Sequence, residues 1–286
     1  MSIILALLAA VFAALTSILA KLGIEAINSN LATAVRTVVV VIMAFIIVVV
    51  TGQFSTIVGL SSRSYLFLIL SGITTGLSWL CYFRAIKLGD VSRVVPIDKS
   101  SVVLTIILSF LILGEPANTM VIMGGGLITI GTFLLIGKVK KDHLKKPSQS
   151  YILLAVLSAV FAAMTSILAK IGIENVDSNV ATFIRTIVIL LFAWGIVFFQ
   201  GKQKELKGIT RKDYLYLILS GVATGLSWLC YFGAISIGKV SIVAPIDKFS
   251  VVLTMLLGFV WLKEKPNKQT IIGGAVITAG TVLLIL

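Results

Sequence analysis

Charge is scarce in this sequence: only 12% of its 286 residues are Asp, Glu, Lys or Arg, about half the share of an average soluble domain. Hydrophobic side chains fill the gap at 58%, with a mean hydropathy of +1.12, and that balance excludes a water-soluble enzyme. Histidine is almost missing. His143, the single one, sits in a lysine-rich stretch, so there is no HExxH zinc site and no Ser/His/Asp triad within the apolar segments. The two cysteines, Cys81 and Cys230, lie in apolar segments without a CxxC partner and read as small buried side chains, not as a metal site or disulfide. Proline occurs 5 times against 24 glycines, amid long runs of Leu, Ile, Val and Ala, which excludes disorder and collagen-like repeats. A nucleotide-binding loop is absent too, so ATP-driven pumping would need a separate subunit, and no cofactor or metal is expected.

What charge there is leans one way. Lys plus Arg total 24 and Asp plus Glu 11, a net +13, which in a soluble protein would suggest phosphate neutralisation and a nucleic-acid partner. In a chain this apolar the excess belongs in cytoplasmic loops, and no nucleic acid is expected.

The chain is one module used twice. Shifted by 149 residues, positions 5–136 align with 154–285 without a gap, at roughly 55% identity. Each copy carries five apolar segments long enough for a bilayer, where only helix can satisfy the backbone. They fall near 3–22, 31–50, 65–87, 91–113 and 120–137, then 151–171, 180–200, 214–236, 240–262 and 269–286. The first segment resembles a signal peptide, but it lacks a basic leading region and its equivalent recurs mid-chain, so it is expected to be a permanent helix.

Five helices per copy is an odd number, so consecutive copies cross the membrane in opposite senses. The expected fold is an all-α integral membrane protein of ten transmembrane helices in two inverted five-helix repeats: 1–137, a basic linker 138–150, and 151–286. With the linker cytoplasmic, 17 of the 24 basic residues fall on the inner face and only Arg63, Lys170 and Lys239 on the outer. Both termini are then expected outside, in a multi-pass protein of the cell (inner) membrane.

Within the membrane the repeat keeps costly groups. Pro-Ile-Asp-Lys-x-Ser-Val-Val-Leu-Thr occurs at 96–105 and 245–254, inside the fourth helix of each copy. A charged group at the bilayer centre costs roughly 2.5–3.5 kcal/mol on insertion scales, and by default marks a site. Asp98, Ser101 and Thr105 recur at i, i+3 and i+7, as do Asp247, Ser250 and Thr254, so each set should share a helix face. Pro96 and Pro245 lack an N–H and are expected to free a carbonyl in the preceding turn, breaking the helix. Lys99 and Lys248 adjoin the aspartates but point about 100° away on a helix, so each charge is expected to find its partner on another helix. The candidate partners of Asp98 and Asp247 are Lys248 and Lys99 of the opposite copy, or Arg36 and Arg185, although both arginines are near enough to a helix end to snorkel. A purely structural role, with these charges gluing the halves, is the alternative.

The third helix of each copy carries a polar stripe, Ser71, Thr75, Ser78 and Tyr82, matched by Ser220, Thr224, Ser227 and Tyr231. Beside it run Gly72, Gly76, Trp79 and Phe83, matched by Gly221, Gly225, Trp228 and Phe232. The glycines allow close helix approach. The aromatics either pack or wall a cavity that holds a cation or ring. Lys21 with Glu25, and Lys170 with Glu174, have i, i+4 spacing and read as local pairs. Gly124, Gly125 and Gly131, with Gly273, Gly274 and Gly280, mark the last helix of each copy as a packing or dimer face.

Two five-helix copies, each with Gly-Leu-Ser-Trp-Leu-Cys-Tyr-Phe (76–83, 225–232), Ala-Ile-x-x-Gly and Val-Ser-x-Val-x-Pro (85–96, 234–245), Leu-x-Glu and a glycine-rich last helix, resemble the EamA-type family of the drug/metabolite transporter superfamily. The resemblance implies a ten-helix inverted-repeat carrier. Its central cavity would be lined by helices 1, 3, 4, 6, 8 and 9, with helices 5 and 10 peripheral. Such relatives usually export or exchange small metabolites and are often drawn with cytoplasmic termini, opposite to the orientation read from the charges.

The expected function is secondary active transport, as exporter or exchanger, of a small organic metabolite by alternating access, with proton coupling through the aspartates as one mode. Tyr82, Tyr231, Trp79 and Trp228 join the Asp, Lys, Ser and Thr residues of the repeated string in the candidate site. The four basic and two acidic groups within helices sum to 4 − 2 = +2, which favours a substrate with an acidic group unless both arginines snorkel. The expected partners are that substrate and the lipid bilayer, for a monomer or homodimer. A lipid flippase or membrane scaffold is one alternative. An intramembrane aspartyl hydrolase is another, disfavoured because Lys87-Leu88-Gly89-Asp90 lacks the first Gly of a GxGD motif and the two aspartates sit in identical local strings.

Overall fold

Asn28 accepts from the backbone amides of Asn30 (3.0 Å) and Leu31 (3.4 Å), and its equivalent Asp177 from those of Asn179 (2.9 Å) and Val180 (3.2 Å). Each thereby caps the start of an apolar helix whose first amides have no partner of their own. Signals of this kind punctuate a chain that is otherwise helix. The computed structural model describes residues 1–23, 28–88, 91–136, 150–261, 263 and 268–286. The first copy supplies α1 (Ser2–Gly23), α2 (Ser29–Val50), α3 (Ser62–Leu88), α4 (Val91–Lys99), α5 (Ser101–Ile112) and α6 (Thr119–Ile136). The second supplies α7 (Ser150–Ile173), α8 (Ser178–Phe199), α9 (Arg211–Ile237), α10 (Val240–Asp247), α11 (Ser250–Trp261) and α12 (Lys268–Ile285). Short 3₁₀ turns at Phe54–Ile57 and Lys202–Gly208 follow α2 and α8.

Eight of the described helical stretches are long and apolar enough to cross a membrane, and Thr119–Leu135 is a shorter apolar helix. The eight include 240–261, whereas the equivalent 91–112 is not among them. The fourth segment of each copy is divided, and not where proline alone would divide it. Helix continues through Pro245, and the ladder gives way after it, where Lys248 N bonds to Pro245 O (3.0 Å) and Phe249 N to Ile246 O (2.9 Å). In the first copy Ser100 N turns back to Ile97 O (3.2 Å), and of Pro96 the helical backbone alone is described. The expectation of a break in the turn before each proline is corrected: i→i−3 bonds three to four residues beyond it interrupt the helix.

The copies interlock. α1 packs most extensively on α9, α3 on α7, α2 on α8 and α6 on α12, so each large contact joins one copy to the other. Glycine sets how close they come. A Cβ on Gly72 would lie 2.7 Å from Val188 Cβ, and one on Gly221 2.7 Å from Val39 Cβ. Gly131 and Gly273 meet across α6 and α12, where a Cβ on Gly131 would stand 2.8 Å from the Gly273 carbonyl. Gly125 receives Ile106 of α5 and Gly274 receives Met255 of α11. The glycine faces read as packing or dimer surfaces are thus occupied within the chain.

Candidate substrate site at two helix breaks

Each interrupted helix delivers an aspartate and a lysine at its interruption. Lys99 Nζ lies 3.5 Å from Asp98 Oδ2 and Lys248 Nζ 3.3 Å from Asp247 Oδ2. The expected cross-helix ion pairs are therefore replaced by pairs between chain neighbours. Where the turn tightens, the regular angular spacing of α-helix no longer holds, and the long lysine stem folds back onto the preceding carboxylate. The two pairs form one electrostatic cluster, for Lys99 lies within charge range of Lys248 and Asp247, and Lys248 within charge range of Asp98. Access is partial: the lysine side chains are 39% and 32% exposed, the aspartates 13% and 20%. Such partly exposed groups escape part of the desolvation cost of a sealed pair.

The two aspartates do not have identical surroundings. Ser158 Oγ of α7 donates to Asp98 Oδ1 at 2.7 Å, and Ser78 of α3 donates to the Ser158 carbonyl at 3.1 Å. The position equivalent to Ser158 is Ala9, which has no hydroxyl to offer Asp247. Tyr82 lies within charge range of Asp98, and Tyr231 of Asp247, Lys248 and Arg185. The Tyr231 hydroxyl is also 2.8 Å from Ser166 Oγ.

Neither arginine pairs with an aspartate among the described residues. Arg185 is 2% exposed and does not snorkel. Its Nε donates to Ser71 Oγ (2.8 Å), its Nη2 reaches Thr75 Oγ1 (3.5 Å), and its guanidinium carbon stands 3.8 Å from the centroid of Phe232. The π face considered for a foreign cation holds the protein's own. The buried Nε of Arg36 has no hydrogen-bond partner.

Other members of the sequence-derived set play local parts. Thr105 Oγ1 donates to Ser101 O and Thr254 Oγ1 to Ser250 O, both at 2.8 Å, inside their own helices. The interruption removes the regular face these residues would share with the aspartates. Trp79 packs beside Leu31, Ala34 and Ala193, at the α2–α8 contact, and Trp228 packs on the main core. The polar stripes bind helices together: Ser71 donates to Thr165 O (2.6 Å), Ser220 to Thr16 O (3.1 Å) and Ser227 to Ala9 O (2.9 Å).

The α9–α10 corner is clamped at both helix ends. The Glu115 carboxylate accepts from the amides of Val240 (2.6 Å) and Ser241 (2.9 Å) and from the Ser241 hydroxyl, at the positive end of α10. Lys170 Nζ donates to the carbonyls of Ile235 (2.6 Å), Ser236 (3.3 Å) and Gly238 (2.8 Å), at the negative end of α9. The expected Lys170–Glu174 pair is thereby corrected: Lys170 caps a helix, and Glu174 lies 3.9 Å from Arg63 at the surface. Glu25, partner proposed for Lys21, and linker residues 138–149 lie outside the described residues. Ser158, Ser166 and Glu115 were missed from the sequence. Glu115 had a signal, the Leu-x-Glu string in both copies; Ser158 had only its departure from Ala9.

A separate cavity of about 900 Å³ lies at the ends of α3 and α8, lined by Phe83, Arg84, Phe192, Phe199 and others, with none of the paired charges. Two of its wall residues, Leu191 and Phe199, are 68% and 94% exposed, so it opens at the surface of the bundle.

A multi-pass helical membrane protein with charges gathered at paired helix breaks is the class these features define. The profile of the EamA-like transporter family matches residues 1–137 and again 149–286, and the chain belongs to that family. It is 50% identical over 130 residues to an uncharacterised transporter encoded 3′ of cobO in Sinorhizobium sp., a match covering 46% of this chain and 92% of that protein. An uncharacterised transporter of Bacillus subtilis (strain 168) is 22% identical over 224 residues, 78% of this chain and 70% of that one. Nearly all of the Sinorhizobium relative thus corresponds to about half of this chain. A protein of known crystal structure superposes with a TM-score of 0.81 at 18% identity, over 99% of this chain and 96% of that one, and shares the fold.

Proposed function

We propose that this protein is a secondary active transporter, exporter or exchanger, of a small organic metabolite bearing an acidic group. Its ten spans form two inverted five-helix repeats that expose one site alternately to the two membrane faces. The observation that carries this reading is the cluster of Asp98, Lys99, Asp247 and Lys248 at two interrupted helices, partly accessible and within charge range of one another. Interrupted helices at mid-membrane expose backbone groups to a ligand. Ion pairs between chain neighbours can open toward substrate charges without dismantling the helix packing. The acidic preference rests on the in-helix sum of +2, and burial of Arg185 supports it. Each aspartate pairs with a lysine, not with the other aspartate, which favours transport over a catalytic dyad sharing one proton.

The test is a thermal-shift screen of purified protein against amino acids, amines, nucleobases, sugars, carboxylates and phosphorylated metabolites, beside Asp98→Asn/Asp247→Asn. A ligand at a hundred times its dissociation constant stabilises the folded state by about 2.7 kcal/mol. A response present in the wild type and lost in the double variant is expected; one that survives both substitutions moves the site elsewhere. In proteoliposomes, uptake driven by a pH gradient is expected if the aspartates carry protons, and exchange without it sinks that coupling.

The cavity open beside Leu191 and Phe199 favours a second reading, movement of lipid. Transbilayer movement of a fluorescent phospholipid in proteoliposomes, with no small-molecule response, would establish it.

A further inference from the structure

Among the described residues Arg185 is the largest fully buried side chain, and no carboxylate pairs with it. Its Nε is used by Ser71 and one Nη2 hydrogen by Thr75, while Nη1 is buried without a partner. The outer edge of the guanidinium, Nη1 with the rest of Nη2, therefore keeps free donors in the fork geometry that receives two oxygens of one oxyanion. Leaving a buried cation uncompensated is strongly unfavourable, so an anion is what the surroundings call for. Symmetric packing does not explain the arrangement. Ser220 and Thr224, equivalent to Ser71 and Thr75, donate to Thr16 and Ser220, and among the described residues neither accepts from Arg36, so the helices pack in the other copy without engaging its arginine. The guanidinium stacks on Phe232, the chain neighbour of Tyr231, and Tyr231 stands within charge range of Arg185 on one hand and of Asp247 and Lys248 on the other, so Tyr231 links the guanidinium to the proposed substrate site.

We propose that the Nη1–Nη2 edge of Arg185 receives the acidic group, carboxylate or phosphate, of the transported molecule, leaving the rest of that molecule to the Asp247–Lys248 side of Tyr231. The inference rests on the transport reading and adds the group that selects the substrate. Arg185 is held for this by Ser71 Oγ and by the ring of Phe232, which fix the plane of the fork before ligand arrives.

The experiment uses full-length protein in detergent and measures apparent affinity by thermal shift for succinate, glutarate and inorganic phosphate. Succinamide serves as the uncharged mate of succinate and choline as a cation. At least one oxyanion is expected to stabilise the wild type while succinamide and choline do not, and the better of carboxylate and phosphate names the acidic group. Arg185→Gln should weaken that affinity by about a hundredfold, the loss of two charge-assisted bonds. Arg185→Lys, which keeps the charge without the fork, should weaken it by about tenfold and serves alone if the Gln variant does not fold. Arg63→Gln, a surface change, should leave it unaltered. Equal affinity in wild type and Arg185→Lys, stabilisation by succinamide or choline instead, or no oxyanion response in the wild type overturns the proposal. A non-acidic ligand lost in Asp98→Asn/Asp247→Asn would overturn it while leaving the transport reading standing; no ligand of any class and no flux in proteoliposomes would remove both.

Discussion

Asp98 and Asp247 occupy the same place in two copies of one string, yet a single hydroxyl separates them. Ser158 reaches Asp98 from 60 positions away in the chain, whereas Ala9 stands at the equivalent place. A hydrogen bond to a charged acceptor contributes about 1.5–3 kcal/mol, so Ser158→Ala should lower stability by that amount in detergent-titrated unfolding. No loss would mean that Lys99 alone satisfies Asp98. The repeated string showed which residues gather; it could not show their donors. Lys170 teaches the same lesson, because i, i+4 spacing offers it Glu174 while the end of α9, 65 to 68 positions on, offers three carbonyls.

Along the elements, the apolar spans were readable because lipid leaves the backbone no choice but helix, and they agree with most observed helices to within a few residues. Chain direction through the divided fourth segments was less so. Proline removes one donor, but tight turns after it decide where the interruption falls and hence that Asp98 and Thr105 lose a regular common face. The glycines of the last helices were legible as contact points, though their partner was not: α6 and α12 press on each other. A Cβ on Gly131 would come within 2.6 Å of Ile277 Cγ1 and 2.8 Å of a carbonyl, whereas one on Gly126 would meet open space. Gly131→Ala should destabilise by about 1–3 kcal/mol through overpacking, and Gly126→Ala should not, as read from thermal unfolding in detergent. Equal effects would show that the two helices yield freely.

In the molecule as a whole, the largest helix contacts all join one copy to the other, so neither copy closes a core by itself. The opposite orientation expected of the two copies has a direct test. Ser55 and Lys204 are equivalent, exposed positions, 149 residues apart. In a background with Cys81→Ala and Cys230→Ala, Ser55→Cys should react with a membrane-impermeant thiol reagent added to intact cells, and Lys204→Cys only after the membrane is opened. Labelling of both from one side would contradict inverted repeats; the reverse assignment would place the termini in the cytoplasm. The sequence by itself determined the apolar segments, the duplication and the costly polar string, because each depends on local composition and on what a bilayer tolerates. Only the tertiary structure decided that Ser158 serves one aspartate, that Arg185 lies against Phe232 with a free edge, and that Glu115 caps α10. Those contacts join residues tens to more than a hundred positions apart, and helix packing, not chain proximity, brings them within hydrogen-bonding reach.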